Sequence, residues 1–533
     1  MSQPKQPTNT SALATLVIVF FFWGFIAASN SIFIPFCKTH FSLSQFESQL
    51  IGSAFYVAYF VGSLVLFLLS NLLGYDIINK IGYKKGIIYG LWISVVGALL
   101  IIPSANANSF PALLVSFFVV ALGFSLQQTA AQPFAITLGD PSTGSHRLNL
   151  GGSVNSLGTT LGPLIVSFFL FGSVGNEVKN VTVTNINILY LIVAGVFAAV
   201  ALFFTFSKLP DGKNQEKFEM AKKASSSLLL MTGLIIAIIV VGQFTNISKL
   251  TLLIATLVSV VGILFYSNSS AIKNNEGWGA MKYQQLIYGM IGIFVYVGVE
   301  VTIDNNFGAL LKTPGYLTDS GLDESKISKY VSLYWGSLMI GRWVGAVSVF
   351  NLKGMAKKIA MVVVPFIAFG VVLGVNKLYG SDITDLYAYS IWIIVAVAAF
   401  FYGQEKPVKT LLTVSILACV AMLIGVFTNG IMSVYAFMAG GLCCAVMWPC
   451  IFSLSVGGLG KYTSQGAAFL IMMILGGAII PPLQGAIGDI YNMHQSYLLA
   501  AACFAFLAWL AIKMRSVLKS QGLNFDDQIG GGH

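Results

Sequence analysis

Two carboxylates, Glu300 and Asp304, stand four residues apart inside an apolar run. Four residues is about one helical turn, so both leave the same face of a helix. Close together and poorly solvated, they do not both ionise easily. Such a pair is able to carry a proton, coordinate a cation or accept hydroxyl donors. An ionisable group inside a membrane span is costly, and is a functional candidate for that reason. Hydration near the span end is the plainer account of Asp304. Other carboxylates are less placed for chemistry, since Asp76 and Asp140 lie at run ends. Arg342, within Gly341-Arg342-Trp343-Val344-Gly345, reads as a charge near the inner mouth that snorkels or pairs with a loop carboxylate.

Neutral polar residues add to these. Asn30, Ser31, Gln127, Gln128, Gln132, Asn155 and Gln484 lie away from run ends or beside Pro and Gly. An amide donates and accepts at once, which suits a ligand made of hydroxyls. Hydrogen bonding between membrane helices accounts equally well for any one of them. Trp23, Tyr56, Tyr296, Tyr334, Trp335 and Trp448 are able to stack on the apolar face of a sugar; singly, each is more often packing. No histidine among His40, His146, His494 and His533 sits mid-run. The six cysteines (Cys37, Cys419, Cys443, Cys444, Cys450, Cys503) have no CxxC spacing, so neither a metal site nor a disulfide framework is expected. Walker A and HExxH motifs are absent from the sequence. An ATP-driven pump and a metalloprotease are thereby excluded, and no enzyme activity or cofactor is expected.

The elements that position these residues are membrane helices. Of 533 residues, 56% are hydrophobic and 9% charged, whereas soluble domains run near a quarter charged. Apolar runs of about 17 to 25 residues recur, enough to cross roughly 30 Å of hydrocarbon. They are apolar all round, which argues against a barrel and predicts an all-α polytopic membrane protein. Spans are expected at 12–36, 50–73, 86–102, 110–138, 148–171 and 186–206. A lysine-rich stretch, 207–226, precedes a hairpin at 227–241 and 250–266. Spans at 286–311 and 330–350 precede a second hairpin at 359–375 and 386–402. The last four fall at 411–427, 431–454, 463–488 and 497–512. That is about 16 spans, or fourteen if a short hairpin is re-entrant. The first run is too long for a signal-peptide core and reads as a retained span.

The net charge of +10 does not point to nucleic acid, because the basic residues sit in short loops. With both termini in the cytoplasm, 21 Lys and Arg fall inside and 7 outside, Arg342 lying within a span. Each hairpin begins and ends inside, so removing either leaves the topology intact. Internal repeats also show. Leu157-Gly-Thr-Thr-Leu-Gly-Pro163 resembles Leu475-Gly-Gly-Ala-Ile-Ile-Pro481, and Trp23-Gly24 matches Val297-Gly298, setting Asn30 opposite Asp304. Phe55-Tyr56 before Gly62 matches Tyr334-Trp335 before Gly341. Three matches in one order imply two related halves. The expected units are 1–206 as a first six-helix half, 207–283 as a linker with an extra hairpin, and 284–350 as the first two helices of the second half. A second extra hairpin at 351–410, the last four helices at 411–515 and a tail at 516–533 complete the chain.

The residues resemble the major facilitator superfamily, and within it the fucose–galactose–glucose:proton symporter family. The resemblance rests on Gly82-Tyr-Lys-Lys-Gly86, Gln128-Thr-Ala-Ala-Gln-Pro133 and the stretch from Arg147 to Gly158. In the second half it rests on Tyr296-Val-Gly-Val-Glu300, Tyr334-Trp-Gly-Ser-Leu-Met-Ile-Gly-Arg342 and Gly476-Gly-Ala-Ile-Ile-Pro-Pro-Leu-Gln-Gly485. It covers both halves and omits the two extra hairpins. It implies two six-helix halves and alternating access to a central sugar site. It also implies a protonatable carboxylate in the first half, and here the chain departs. The family's Asn-Asp pair reads Asn30-Ser31, its Ala-Ala-Asn-Pro reads Ala-Ala-Gln132-Pro, and Gln128 stands where some members carry Glu. In the second half, Cys443-Cys444 replaces Phe-Asn.

The reading that follows is a hexose, deoxyhexose or amino-sugar transporter of a bacterial inner membrane. Gln128, Asn155, Glu300, Trp335, Gln484, Asn30 and Tyr296 would bind the sugar. Glu300 and Asp304 would couple a proton or sodium, with Arg342 and Arg147 in gating or structural roles. The expected partners are the sugar, the coupling cation and the lipid bilayer. An uncoupled facilitator, an exporter of another small molecule and a non-transporting sugar sensor are the alternatives.

Overall fold

A helix pairs its own backbone groups, which is the condition for crossing lipid. The computed structural model describes residues 7–42, 45–140, 143–171, 182–212, 219–322, 324–350, 352, 354–403, 406–523 and 525, and these form helices joined by turns and loops. Within these, side chains are described except at 26–36, 38–40, 45–51, 53, 163–171, 324 and 325. The first six helices are α1 (Thr10–His40), α2 (Gln45–Leu73), α3 (Tyr83–Asn106), α4 (Phe110–Thr137), α5 (Gly144–Phe171) and α6 (Val183–Phe206). A hairpin of α7 (Lys222–Phe244) and α8 (Lys249–Lys273) follows. Next come α9 (Gln284–Asn305) and α10 (Glu324–Ala346), then a second hairpin of α11 (Gly354–Leu378) and α12 (Ser390–Gly403). The chain finishes with α13 (Pro407–Phe427), α14 (Gly430–Cys444), α15 (Met447–Val456), α16 (Thr463–Met472), α17 (Gly476–Ile490) and α18 (Leu498–Ser520).

Among the described residues, 13 helices are long and apolar enough to cross a membrane, rather than sixteen. Helix α10 is too polar to qualify, and α1 and α5 are described only in part along their length. Both hairpins are longer than their apolar runs suggested. Helices α7 and α8 have 23 and 25 residues, and a 3₁₀ turn at Thr384–Tyr389 extends α12. Burial separates centre from rim: 89% of the apolar window of α9 is buried, against 22% for α7.

Two spans that read as continuous are broken. The run at 431–454 splits between α14 and α15 at Ala445-Val446, where Gly341 of α10 packs against Ala445. The run at 463–488 splits between α16 and α17 through a 3₁₀ turn at Met473–Leu475. By contrast α4 and α5 each run 28 residues without a break.

The repeated glycines do the same work twice. A Cβ at Gly158 of α5 would stand 2.2 Å from the Phe21 carbonyl oxygen of α1, and one at Gly476 of α17 would stand 1.8 Å from that of Phe294 in α9. Small residues let membrane helices approach closely enough for dispersion to hold them. The second hairpin lies along α10. Val372 fills the space over Gly336, Asn376 donates to the Ser332 hydroxyl at 2.9 Å, and Lys329 pairs with Asp385 at 2.7 Å. Residues at the foot of the first hairpin touch both sets of helices. The Ala221 N–H donates to Asn71 of α2, and the Ala280 N–H to Gln465 of α16.

Candidate functional site

The centre of the molecule is where α5 faces α10. Glu300 of α9 accepts from Tyr296 at 2.7 Å and pairs with Arg342 of α10 at 3.3 Å, both through Oε1. Arg342 also donates to the Ser156 hydroxyl of α5 at 2.9 Å. It is thus a charged link between the two sets of helices, and among the described residues no loop carboxylate is its partner. The indole of Trp343 donates to the Ser153 carbonyl at 3.3 Å, and the Thr160 hydroxyl meets the Met339 sulfur at 3.6 Å. Ser153, Ser156 and Thr160 recur at helical spacing, so one face of α5 meets α10. Ser156 was not singled out by sequence; its spacing from Ser153 was the available signal.

Glu300 and Asp304 share a helix face but have different partners. Asp304 lies within hydrogen-bonding reach of the Trp335 side chain, and its Oδ1 is buried with no partner. The last turn of α9 is held from outside: Tyr334 donates to the Glu300 carbonyl at 2.7 Å and Tyr497 to that of Ile303 at 3.0 Å. Asn306, which sequence reasoning passed over, donates to Gln484 at 2.8 Å. The Gln484 Nε2 is buried and unpartnered. Tyr296 stacks at 6.2 Å against Trp448, whose indole N–H is buried without a partner.

Other expected site residues bond within the first six helices. Gln128 donates to Tyr59 at 2.8 Å, and Asn155 to the Phe20 carbonyl at 3.0 Å. Gln127 links Trp23 to Ser94. The side chains of Asn30 and Ser31 lie outside the described residues. Arg147 is buried at the foot of α5, donating to the carbonyls of Ala135, Ile136 and Asp140. Carbonyls at a helix C-terminus lack intrahelical donors, which Arg147 supplies to α4. No group of three or more His, Cys, Asp or Glu suited to a metal occurs among the described residues.

The end that carries the lysine-rich loops is closed by a second set of contacts. Asp76 accepts from Ser464 at 2.7 Å, Asn79 donates to the Lys461 carbonyl at 3.2 Å, and Phe67 meets Phe469 at 4.7 Å. Lys461 reaches Glu219 at 2.6 Å, and Tyr462 donates to the same carboxylate. These two donors, Lys461 foremost, hold the Glu219 carboxyl down at about 2. Burial, by contrast, raises the Asp76 carboxyl, against hydrogen bonds from Asn79 and Ser464 that lower it.

The sign for Asp76 follows. A carboxyl raised by closure binds its proton more tightly closed than open, so closure strengthens as pH falls, in a window above the ordinary value near 3.9. Glu219 is lowered, so its contribution is lost only as pH falls from its ordinary value, about 4.3, toward 2. Replacing Asp76 by Asn is expected to flatten the pH dependence of closure above the ordinary carboxylate value. The reaction rate of a thiol introduced at the buried Ala468 reads closure directly; an unchanged profile would remove Asp76 from the device.

The sequence profile of the Major Facilitator Superfamily matches residues 15–405. A glucose/galactose transporter of Brucella abortus is 28% identical, over 94% of this chain and 93% of its own. An L-fucose-proton symporter of Escherichia coli is 23% identical, over 93% and 91%. A crystal structure of the E. coli fucose:proton symporter superimposes with a TM-score of 0.63 at 20% identity, covering 94% of this chain and 98% of that one.

Proposed function

The chain belongs to the Major Facilitator Superfamily, and on that premise we propose that it carries a hexose, deoxyhexose or amino sugar by alternating access, in symport with a cation. The observation that carries the reading is the Arg342 link: one guanidinium bonded to Glu300 on its own side and to Ser156 across the divide. The relatives named as glucose/galactose transporter and fucose-proton symporter, matched over nearly the whole chain, support a sugar as the cargo.

The rest of the proposal is finer. Helices α1–α6 form one half, and α9, α10 and α13–α18 the other, with both hairpins as additions. Sixteen spans cross a bacterial inner membrane, adding α1, α5 and α10 to those that qualify by composition. Both termini and the basic loops lie in the cytoplasm, as the excess of Lys and Arg there supports. The cytoplasmic end is therefore the one closed by Asp76, Asn79, Glu219 and Lys461.

The sugar sits beside Glu300, whose Oε2 has no hydrogen-bond partner among the described residues and is an acceptor for a hydroxyl. Gln484 offers its unpartnered Nε2 as a donor, and Trp335 and Tyr296 cover ring faces. Gln128 and Asn155 serve from the first half, exchanging their present bonds for the sugar's; Asn30, whose side chain lies outside the described residues, is proposed to bind the sugar on its sequence alone. Uncoupled facilitation is favoured only by Ser31, which cannot titrate.

Sugar counterflow in proteoliposomes tests the reading, across hexoses, fucose and N-acetylglucosamine. Exchange of at least one sugar is expected. No exchange of any would overturn the sugar assignment and favour an exporter or a sensor.

A further inference from the structure

The structure gives the two carboxylates of α9 different surroundings. Glu300 already has a cation, Arg342, and a hydroxyl donor, Tyr296, on one oxygen. Arg342 would lose its counter-charge if Glu300 were protonated, and the bond from Arg342 to Ser156 ties that loss to the contact between the halves. A buried pair of this kind is broken only at considerable cost.

Asp304, one turn further, has no such pairing. Three tyrosines face it closely enough to interact with its charge: Tyr56 of α2, Tyr334 of α10 and Tyr497 of α18. The Trp335 side chain lies within its reach, and Oδ1 is buried with no donor among the described residues. Glu300, one turn back on the same face, has its own sign, and Arg342 is bonded to Glu300 rather than to Asp304. The neutral groups beyond are Asn306 and Gln484, bonded to each other. A charge placed here meets one donor and no cation, whereas a protonated carboxyl is neutral and costs the site little. A metal cation would want several oxygen ligands, and aromatic rings supply most of what surrounds this carboxylate.

We propose that Asp304 is the proton-binding carboxylate of the transport cycle, with Trp335 as its positioning residue, and that Glu300 is reserved for the Arg342 link. The assignment rests on the proposed sugar transport and deepens it. It moves the proton site into the second half, opposite the position where Ser31 cannot serve. One proton passes from water on the outer side to an Asp304 oxygen, and leaves to water on the inner side after the halves swing. No bond other than the O–H forms or breaks. Asp304 lies in the last turn of α9, toward the outer end on the proposed topology, so loading is assigned to the outside while the cytoplasmic end is closed.

The test uses purified protein in proteoliposomes, with a sugar that the wild type exchanges. Asp304→Asn is expected to lose pH-gradient-driven accumulation and sugar-induced alkalinisation of the outer medium, while counterflow, which needs no net proton, continues. Asp304→Glu keeps a titratable oxygen and is expected to restore proton movement, which guards against a folding defect. Trp335→Phe is expected to shift the midpoint of the pH profile of accumulation; an unshifted profile would remove its positioning role. Proton movement persisting in Asp304→Asn would overturn the assignment, as would wild-type accumulation that follows a sodium gradient and ignores pH. Failure of wild-type counterflow with every sugar would instead overturn the transport reading, and is told apart because it precedes any variant.

Discussion

Replacing Arg342 by methionine is expected to abolish sugar exchange and to lower stability by about 3 kcal/mol, because Glu300 is left as a buried charge without its cation. Glu300→Gln strands Arg342 in the same way. The two losses are not expected to add. In the double variant Glu300→Gln with Arg342→Met, neither charge is stranded, so most of the stability returns while exchange stays lost. Thermal unfolding in detergent across all four proteins gives the coupling. Additive losses would show that the 3.3 Å contact does not bind the two side chains energetically.

The second large effect is expected at Gly476. A valine there would place its Cβ 1.8 Å from the Phe294 carbonyl oxygen, and the obstructing atom is backbone, which no rotamer change relieves. A cost of about 3 kcal/mol or more is expected, seen as loss of monodisperse protein on size exclusion. Gly158→Val meets the Phe21 carbonyl at 2.2 Å and is expected to fail likewise. Gly370 has nothing within 4 Å of its Cβ position, so Gly370→Ala is the control, expected within about 0.5 kcal/mol of the wild type. Equal recovery of Gly476→Val and Gly370→Ala would contradict the contact between α9 and α17.

The helices were legible because lipid imposes one rule on every span, a long apolar run, and length alone carries that signal. The breaks at Ala445-Val446 and Met473–Leu475 were not legible. Both sides of each break are apolar, and an all-round apolar helix has no periodicity to lose. The paired glycines were visible as a repeat, since a contact made twice by the same residue type leaves two copies of one pattern.

Partnerships between helices were harder to read. Arg342 stands four residues from the end of α10, so counting along the helix assigns it to the mouth; its long side chain reaches Glu300 instead. Gln128, Asn155 and Gln484 look alike as mid-span amides. Two spend their donors on Tyr59 and the Phe20 carbonyl, while Gln484 keeps an unpartnered nitrogen. Spacing along one helix marks a face, as Ser153 and Ser156 do, but does not encode what the next helix presents to it, which is why the partners of Ser156 and Asn306 were passed over.

The broken spans bear on mechanics. Helices α4 and α5 each run 28 residues without a break, α4 through Pro133, whereas α14–α15 and α16–α17 are each jointed partway along. A rod resists bending along its whole length, whereas a joint yields at one place for a small torque. The two pairs of spans therefore differ in where they can bend. On the proposed alternating access, a push from a bound molecule at the centre would be taken up first as flexing at these two joints.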